Sequence, residues 1–229
     1  MRKYFFSFCL LLAIATVIAT FNSCEKIEPE ERPKLSPREG IGEPTPTTDP
    51  SVFIGGVRWA TRNVDMPNTF AENPESLGMF YQWNRKIGWS STDPLVNSDS
   101  DTEWNNIMPV GTEWTFNNPC PRGWRVPTFA ELYRLTDMDY TTSQWTSVNG
   151  VNGRTFTDLT TGSSIFLPAV GWRNGSNGAL GSTGGGYWSR SFVAGTNVAS
   201  WSLYFTDTFV YSGNHNNRLV GLSVRCVAE

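Results

Sequence analysis

Histidine is almost missing from this chain: His215 is the only one. Imidazole-rich metal sites and Ser-His-Asp relays therefore depend on a single residue. It sits in Gly213-Asn214-His215-Asn216-Asn217-Arg218, a polar stretch read as a loop with no identifiable acid or serine partner, the setting of a solvated side chain. A basic excess is missing too. Without its first 23 residues the chain carries 16 Lys and Arg against 21 Asp and Glu, a balance that offers nothing to nucleic acid or to an anionic membrane face. Long apolar runs stop at Ala19, internal repeats are absent, and cysteine is limited to Cys9, Cys24, Cys120 and Cys226. Two distant cysteines and one histidine make a poor metal set.

What is present begins with an address. Arg2 and Lys3 precede an apolar run from Tyr4 to Ala19, the n-region and h-region of an export signal, slightly short for a span of about 20 apolar residues. Phe21-Asn22-Ser23-Cys24 follows and resembles a bacterial lipobox in the loose form of Bacteroidetes lipoproteins, with Phe21 and Asn22 departing from the stricter pattern. The resemblance implies cleavage before Cys24, acylation of its thiol and a membrane partner reached through that lipid. An ordinary cleaved signal is the alternative, served poorly by Thr20 to Ser23, and an uncleaved anchor is another. Residues 1–23 are thus a leader.

Residues 24–50 change character. From Glu25 to Pro50 there are six prolines, seven acidic and four basic residues and hardly any large apolar side chain, so the segment cannot bury enough surface to offset its ordering entropy. It reads as an extended tether. Glu25, Glu28, Glu30 and Glu31 resemble the acidic signal that sends Bacteroidetes lipoproteins to the cell surface, and a merely solvated tail explains them equally well.

Residues 51–229 suit one substantial core. They hold all ten tryptophans, interleaved with Gly, Asn, Ser and Thr, the composition of a loop-rich extracytoplasmic domain. With Cys24 lipidated, Cys120 and Cys226 remain, an even pair in an oxidising compartment; a disulfide and two buried free thiols are the open readings. Thr128-Phe129-Ala130-Glu131 is a capping box after Pro127, so a helix is expected from Thr128 to about Met138. Ala199, Trp201, Leu203 and Phe205 alternate with polar residues, as do Val220, Leu222, Val224 and Cys226, which predicts two half-buried strands. Shorter strands are expected at Ile165 to Val170 and Tyr187 to Ser191, flanking a glycine-rich loop from Gly171 to Gly186, and a hairpin near Val52 to Val64 with its turn at Gly55-Gly56.

Six motifs carry a family resemblance: Ile54-Gly55-Gly56-Val57-Arg58-Trp59, Gly78-Met79-Phe80-Tyr81-Gln82-Trp83, Asn118-Pro119-Cys120-Pro121-Arg122-Gly123-Trp124-Arg125-Val126-Pro127-Thr128, Phe166-Leu167-Pro168-Ala169-Val170-Gly171, Gly186-Tyr187-Trp188-Ser189 and Ser223-Val224-Arg225-Cys226-Val227. In order and spacing they resemble the Fibrobacter succinogenes major paralogous domain, found in Bacteroidetes surface lipoproteins. That family is distantly similar to formylglycine-generating enzymes. The resemblance implies an α+β, C-type lectin-like domain with a twisted antiparallel sheet, few helices and long ligand-facing loops. It implies no catalytic residues. Formylglycine-generating enzymes hold copper with two closely spaced cysteines, and Cys226 has no such neighbour.

Calcium is the cofactor to weigh. Trp104-Asn105-Asn106 lacks the aspartate of the lectin Trp-Asn-Asp motif, so a calcium-dependent sugar site is not carried over. Asn97-Ser98-Asp99-Ser100-Asp101-Thr102-Glu103 spaces oxygens at alternate positions but lacks the turning glycine of an EF-hand, and a solvated acidic loop is the simpler reading. No cofactor is expected. The expected ligand surface is Trp172, Arg173 and Asn174, with Tyr211, Asn214 and His215 brought alongside; flat rings beside polar edges suit pyranoses, although Trp172 also suits a core. The expectation is a non-enzymatic, outer-membrane adhesion or binding module for glycan or protein. An enzyme related to formylglycine-generating enzymes or acting on polysaccharide, and an accessory or tip subunit of a fimbria, are the alternatives.

Overall fold

A computed structural model describes residues 50–114, 116–181 and 184–229. The expected leader, the expected lipidation residue Cys24 and the expected tether up to residue 49 lie outside the described residues. Two glycines start the fold. Gly55 and Gly56 have φ of +57° and +77°, the left-handed pair of a two-residue turn, and they join strands β1 (Ser51–Ile54) and β2 (Val57–Ala60). The Gly55 N–H donates to Asp158 Oδ2 at 2.8 Å, which ties this turn to the far end of a later strand.

Four antiparallel sheets follow from the strand pairing. The first is β1-β2-β15-β5, with β5 at Trp124–Arg125 and β15 at Val227–Ala228. The second is β10-β9-β14-β3-β4, made of β3 (Phe80–Gln82), β4 (Gly88–Trp89), β9 (Trp172–Arg173), β10 (Leu180–Gly181) and β14 (Gly221–Leu222). The third is β11-β12-β13, from β11 (Gly185–Phe192), β12 (Ala199–Phe205) and β13 (Val210–Asn217). The fourth is β6-β7-β8, from β6 (Thr141–Val148), β7 (Val151–Asp158) and β8 (Ser164–Pro168). With one six-residue helix beside them, the described chain is mostly antiparallel β rather than a balanced α+β mixture.

That helix, α1 (Phe129–Arg134), starts where its capping box places it. Thr128 Oγ1 accepts from Glu131 N at 3.2 Å and Glu131 Oε2 accepts from Thr128 N at 2.7 Å. It stops at Leu135 instead of Met138, because Asp137 turns the chain: its Oδ1 accepts from Asp139 N at 3.1 Å and its carbonyl accepts from Tyr140 N and Thr141 N, leading into β6. Glu131 also takes both guanidinium nitrogens of Arg125, at 2.6 and 2.8 Å. Burial raises the Glu131 pKa, but the hydrogen bonds from Arg125 and Thr128 outweigh it and hold the carboxyl below its ordinary value. A lowered folded pKa means that this stabilisation is present above the unfolded value of about 4.3 and is lost as pH falls through the folded one. Chemical denaturation between pH 7 and pH 3 should therefore give a level midpoint down to about pH 5 and a fall below about pH 4. Glu131→Ala is expected to cost about 1–2 kcal/mol at pH 7 and to make that fall shallower.

The expected strand Val220 to Cys226 is broken. Residues 221–222 belong to β14 and 227–228 to β15, while the stretch between hands over from one sheet to another. Ser223 exchanges bonds with Gly186 and Trp188, the Val224 carbonyl accepts from Val64, and the Cys226 carbonyl accepts from Ala60. Both faces of this segment are covered, so Gly221, Ser223 and Arg225 are as buried as the residues they alternate with. Cys226 meets Cys120 in a disulfide closing a separation of 106 residues. The bridge lies in a core with Trp83, Trp114, Trp124 and Trp188. A second core gathers Trp59, Leu132, Leu135, Phe156, Leu203 and Phe205. Strand alternation in β11 serves both, with Trp188 in the first and Tyr187 in the second. Three of the four indole nitrogens of the first core are satisfied: Trp188 Nε1 donates to Tyr81 O at 2.7 Å, Trp83 Nε1 to Ser189 O at 2.9 Å and Trp114 Nε1 to Asn117 O at 2.8 Å, while Trp124 Nε1 is buried without a partner among the described residues. Among the described residues no helix is long and apolar enough to cross a membrane.

Candidate functional site

The segment after Gly171 folds as a small hairpin rather than a plain loop. β9 carries Trp172 and Arg173, pairs with β10, and places Gly181 against Trp172; a Cβ on Gly181 would lie 2.5 Å from the indole, so the strand approaches the ring only because that side chain is missing. Between the strands, Asn174 builds the tip. Its Oδ1 accepts from Ser176 N at 2.8 Å and Ser176 Oγ at 2.7 Å, and its backbone bonds to Ala179 and Gly178.

Alternation then sends the neighbours opposite ways. Trp172 is half-buried, whereas Arg173 is fully buried and is not a ligand contact. Its guanidinium is consumed within the domain: Nε donates to Ser90 O at 2.7 Å, Nη1 to Gly178 O at 2.7 Å, and Nη2 to Thr92 O at 2.6 Å and Ser90 Oγ at 3.0 Å. Arg173 thus pins the 90–93 loop to the hairpin tip, with exposed Asp93 at 3.4 Å as its acidic neighbour. This corrects the expectation that three consecutive residues face one ligand.

Trp172 and Asn174 do share a surface. With Gly175, Ser176, Asn217, Leu219 and Val220 they line an open cleft of about 300 Å³. Leu219 and Val220 supply apolar wall; Asn217 stands at the end of β13, its Oδ1 accepting from Leu219 N at 2.9 Å. That leaves Trp172 Nε1 and the side-chain amide nitrogens of Asn174 and Asn217 without partners among the described residues. These are three donors around an apolar floor, the mixture that suits a sugar ring. Sequence reading missed Asn217, Leu219 and Val220, because the turn that brings them to Trp172 depends on β14 pairing with β9 at Gly221 and Arg173.

The second expected cluster does not join this cleft as a unit. Tyr211 is exposed on β13 opposite Tyr204. Asn214 turns inward and donates from Nδ2 to Ser202 Oγ at 3.2 Å. His215 lies on strand β13 rather than in a loop, exposed and opposite Trp201, with ring centroids 6.0 Å apart and the planes at 83°. Trp201 in turn packs on Phe129 of α1 at 4.7 Å. His215 has an aromatic neighbour, and no acid contact to it is found among the described residues.

Two carboxylates do flank a narrow cleft of about 100 Å³, Asp101 and Glu103, together with Arg85, Gln82 and Asn105. Asp101 Oδ1 is already occupied by Thr102 N at 2.7 Å and Glu103 N at 3.0 Å, and Asn97 Oδ1 by Asp99 N and Asp101 N, both at 2.9 Å. Two of the alternate oxygens of this loop, on Asn97 and Asp101, therefore cap their own backbone. Among the described residues no group of three or more His, Cys, Asp or Glu side chains is placed to hold a metal ion. No family model, curated protein or solved structure matches the chain.

Proposed function

We propose that this chain is an outer-membrane lipoprotein, anchored through Cys24 and displayed at the cell surface. Its residues 51–229 form a C-type lectin-like domain of the Fibrobacter succinogenes major paralogous type, and the domain binds glycan without covalent chemistry. The cleft at Trp172 carries this reading: an indole and the aliphatic side chains of Leu219 and Val220 line it together with Asn174 and Asn217, and the indole and amide nitrogens have no partner among the described residues. Such a surface stacks on the C–H face of a pyranose and reads its hydroxyls. The chemistry of the cleft supports binding: its one side-chain hydroxyl, Ser176 Oγ, donates to Asn174 Oδ1, and His215 stands elsewhere on β13.

The test is a glycan array probed with the detergent-solubilised lipoprotein, with and without chelator, followed by calorimetry on the best binder. Trp172→Ala is expected to weaken binding at least about tenfold, as loss of a central aromatic contact does. Asn217→Ala should weaken it less, and Tyr211→Ala should leave it unchanged. Equal binding by the Trp172→Ala protein would refute the assignment of this cleft.

A further inference from the structure

β6 is an outer strand of its sheet, and it lacks the usual defences of one. It runs eight residues, Thr141 to Val148, and every residue is paired with β7 without a bulge. It contains no charged residue, no proline and no glycine. The other outer strands differ: β1, β4, β5 and β10 have two to four residues, β8 ends in Pro168, β11 is bulged, carries Arg190 and bonds to Ser223 through Gly186 and Trp188, and β13 is bulged and bonded through Ser212 to Thr136 just past α1.

The turn at Asn149-Gly150, with φ of +48° and +82°, determines which way the β6 backbone faces. In a two-residue hairpin the closing pair, here Val148 and Val151, is hydrogen-bonded, so residues 142, 144, 146 and 148 bond to β7. The N–H and C=O groups of Ser143, Trp145 and Ser147 point the other way and meet no backbone partner among the described residues.

We infer that β6 pairs antiparallel with β6 of a second copy of this chain, across a two-fold axis at Trp145. An isologous contact sets a strand against itself, so any charge it carried would meet its like nearby, and β6 carries none. In this register Ser143 lies opposite Ser147 of the second copy, Gln144 opposite Thr146, and Thr142 opposite Val148. The outward groups of residues 143, 145 and 147 are then satisfied on both strands, and two three-stranded sheets become one of six. The half-buried Trp145, already 6.5 Å from Phe205 in its own core, is covered further by its counterpart.

Sedimentation equilibrium of the detergent-solubilised, full-length lipoprotein tests this. Two chains per particle are expected. Gln144→Lys puts two ammonium groups diagonally across the pair and should raise the dimer dissociation constant at least about tenfold. Ser147→Pro removes an outward N–H without touching the β7 ladder and should do the same. Ser164→Lys, which adds the same charge on the far strand of the sheet, should leave the dimer intact. Circular dichroism and an unreactive Cys120–Cys226 pair would certify folding of each variant. A monomer for the unsubstituted protein at about 100 µM, or a dimer indifferent to both β6 substitutions, overturns the proposal.

Discussion

Replacing Cys120 and Cys226 by alanine is expected to lower the stability of the domain by about 4–5 kcal/mol. Closing a loop of 106 residues removes unfolded-state entropy worth about that much in the chain-entropy account. Both sulfurs are also buried, at 3% and 0% exposure, among Trp83, Trp124 and Trp188, so the alanines leave space that the indoles cannot easily close. Guanidinium unfolding of the oxidised and reduced proteins, read against the double alanine variant, measures both contributions. Two further consequences follow. Oxidised protein unfolded without reductant should show neither of these thiols to a titrant, and the reduced protein should fall close to the double variant. If reduction left the midpoint unchanged, the bridge would have no part in stability.

The second large effect concerns a buried charge. Arg225 is fully buried, and burial pushes its pKa down to about 10, so at neutral pH it remains charged inside the core. Its acceptors are an amide and a backbone carbonyl rather than a carboxylate: Nε and Nη2 both donate to Asn63 Oδ1, at 2.9 and 2.7 Å, and Nη1 to Ala60 O at 3.4 Å. Asn63 Nδ2 donates onward to Leu77 O at 2.9 Å and to the Tyr187 hydroxyl at 3.3 Å, and that hydroxyl donates to Pro168 O at 2.8 Å. Removing the amide leaves the buried guanidinium only its long bond to Ala60 O, so Asn63→Ala is expected to cost about 3–5 kcal/mol. Removing the charge as well should recover part of that loss. The double variant Asn63→Ala with Arg225→Met is expected to be more stable than Asn63→Ala alone, a sign reversal that simple loss of contacts would not produce. A double-mutant cycle in urea reads it directly.

The elements visible in the sequence were those held by local chemistry. The Gly55-Gly56 turn, the Thr128 capping box and the apolar alternation of β12 each place an element where the chain adopts it, because the deciding contacts lie within a few residues. β6 escaped notice since Thr142, Gln144, Thr146 and Ser147 give it little apolar contrast between its faces, although Asn149-Gly150 marks its hairpin turn plainly. The terminal segment misled for the opposite reason. Its alternation is real, but Ser223 and Arg225 are buried by hydrogen bonds to Gly186, Trp188 and Asn63 that no local pattern encodes. The cleft shows the same division. Trp172 and Asn174 reach it, Arg173 between them turns to Ser90 and Gly178, and Asn217, Leu219 and Val220 arrive through strand pairing.

One covalent feature also bears on mechanical load. Trp172 lies almost midway between Cys120 and Cys226, inside the ring that their sulfurs close. A pull entering at Ser51 and resisted at Trp172 travels along a single covalent chain only as far as Cys120. From there it divides between two arms, one through Thr128 and Trp145 and the other through Cys226 and Trp201. Beyond Cys120 the covalent path to position 172 is therefore doubled, and no single peptide bond between the two sulfurs carries the whole load.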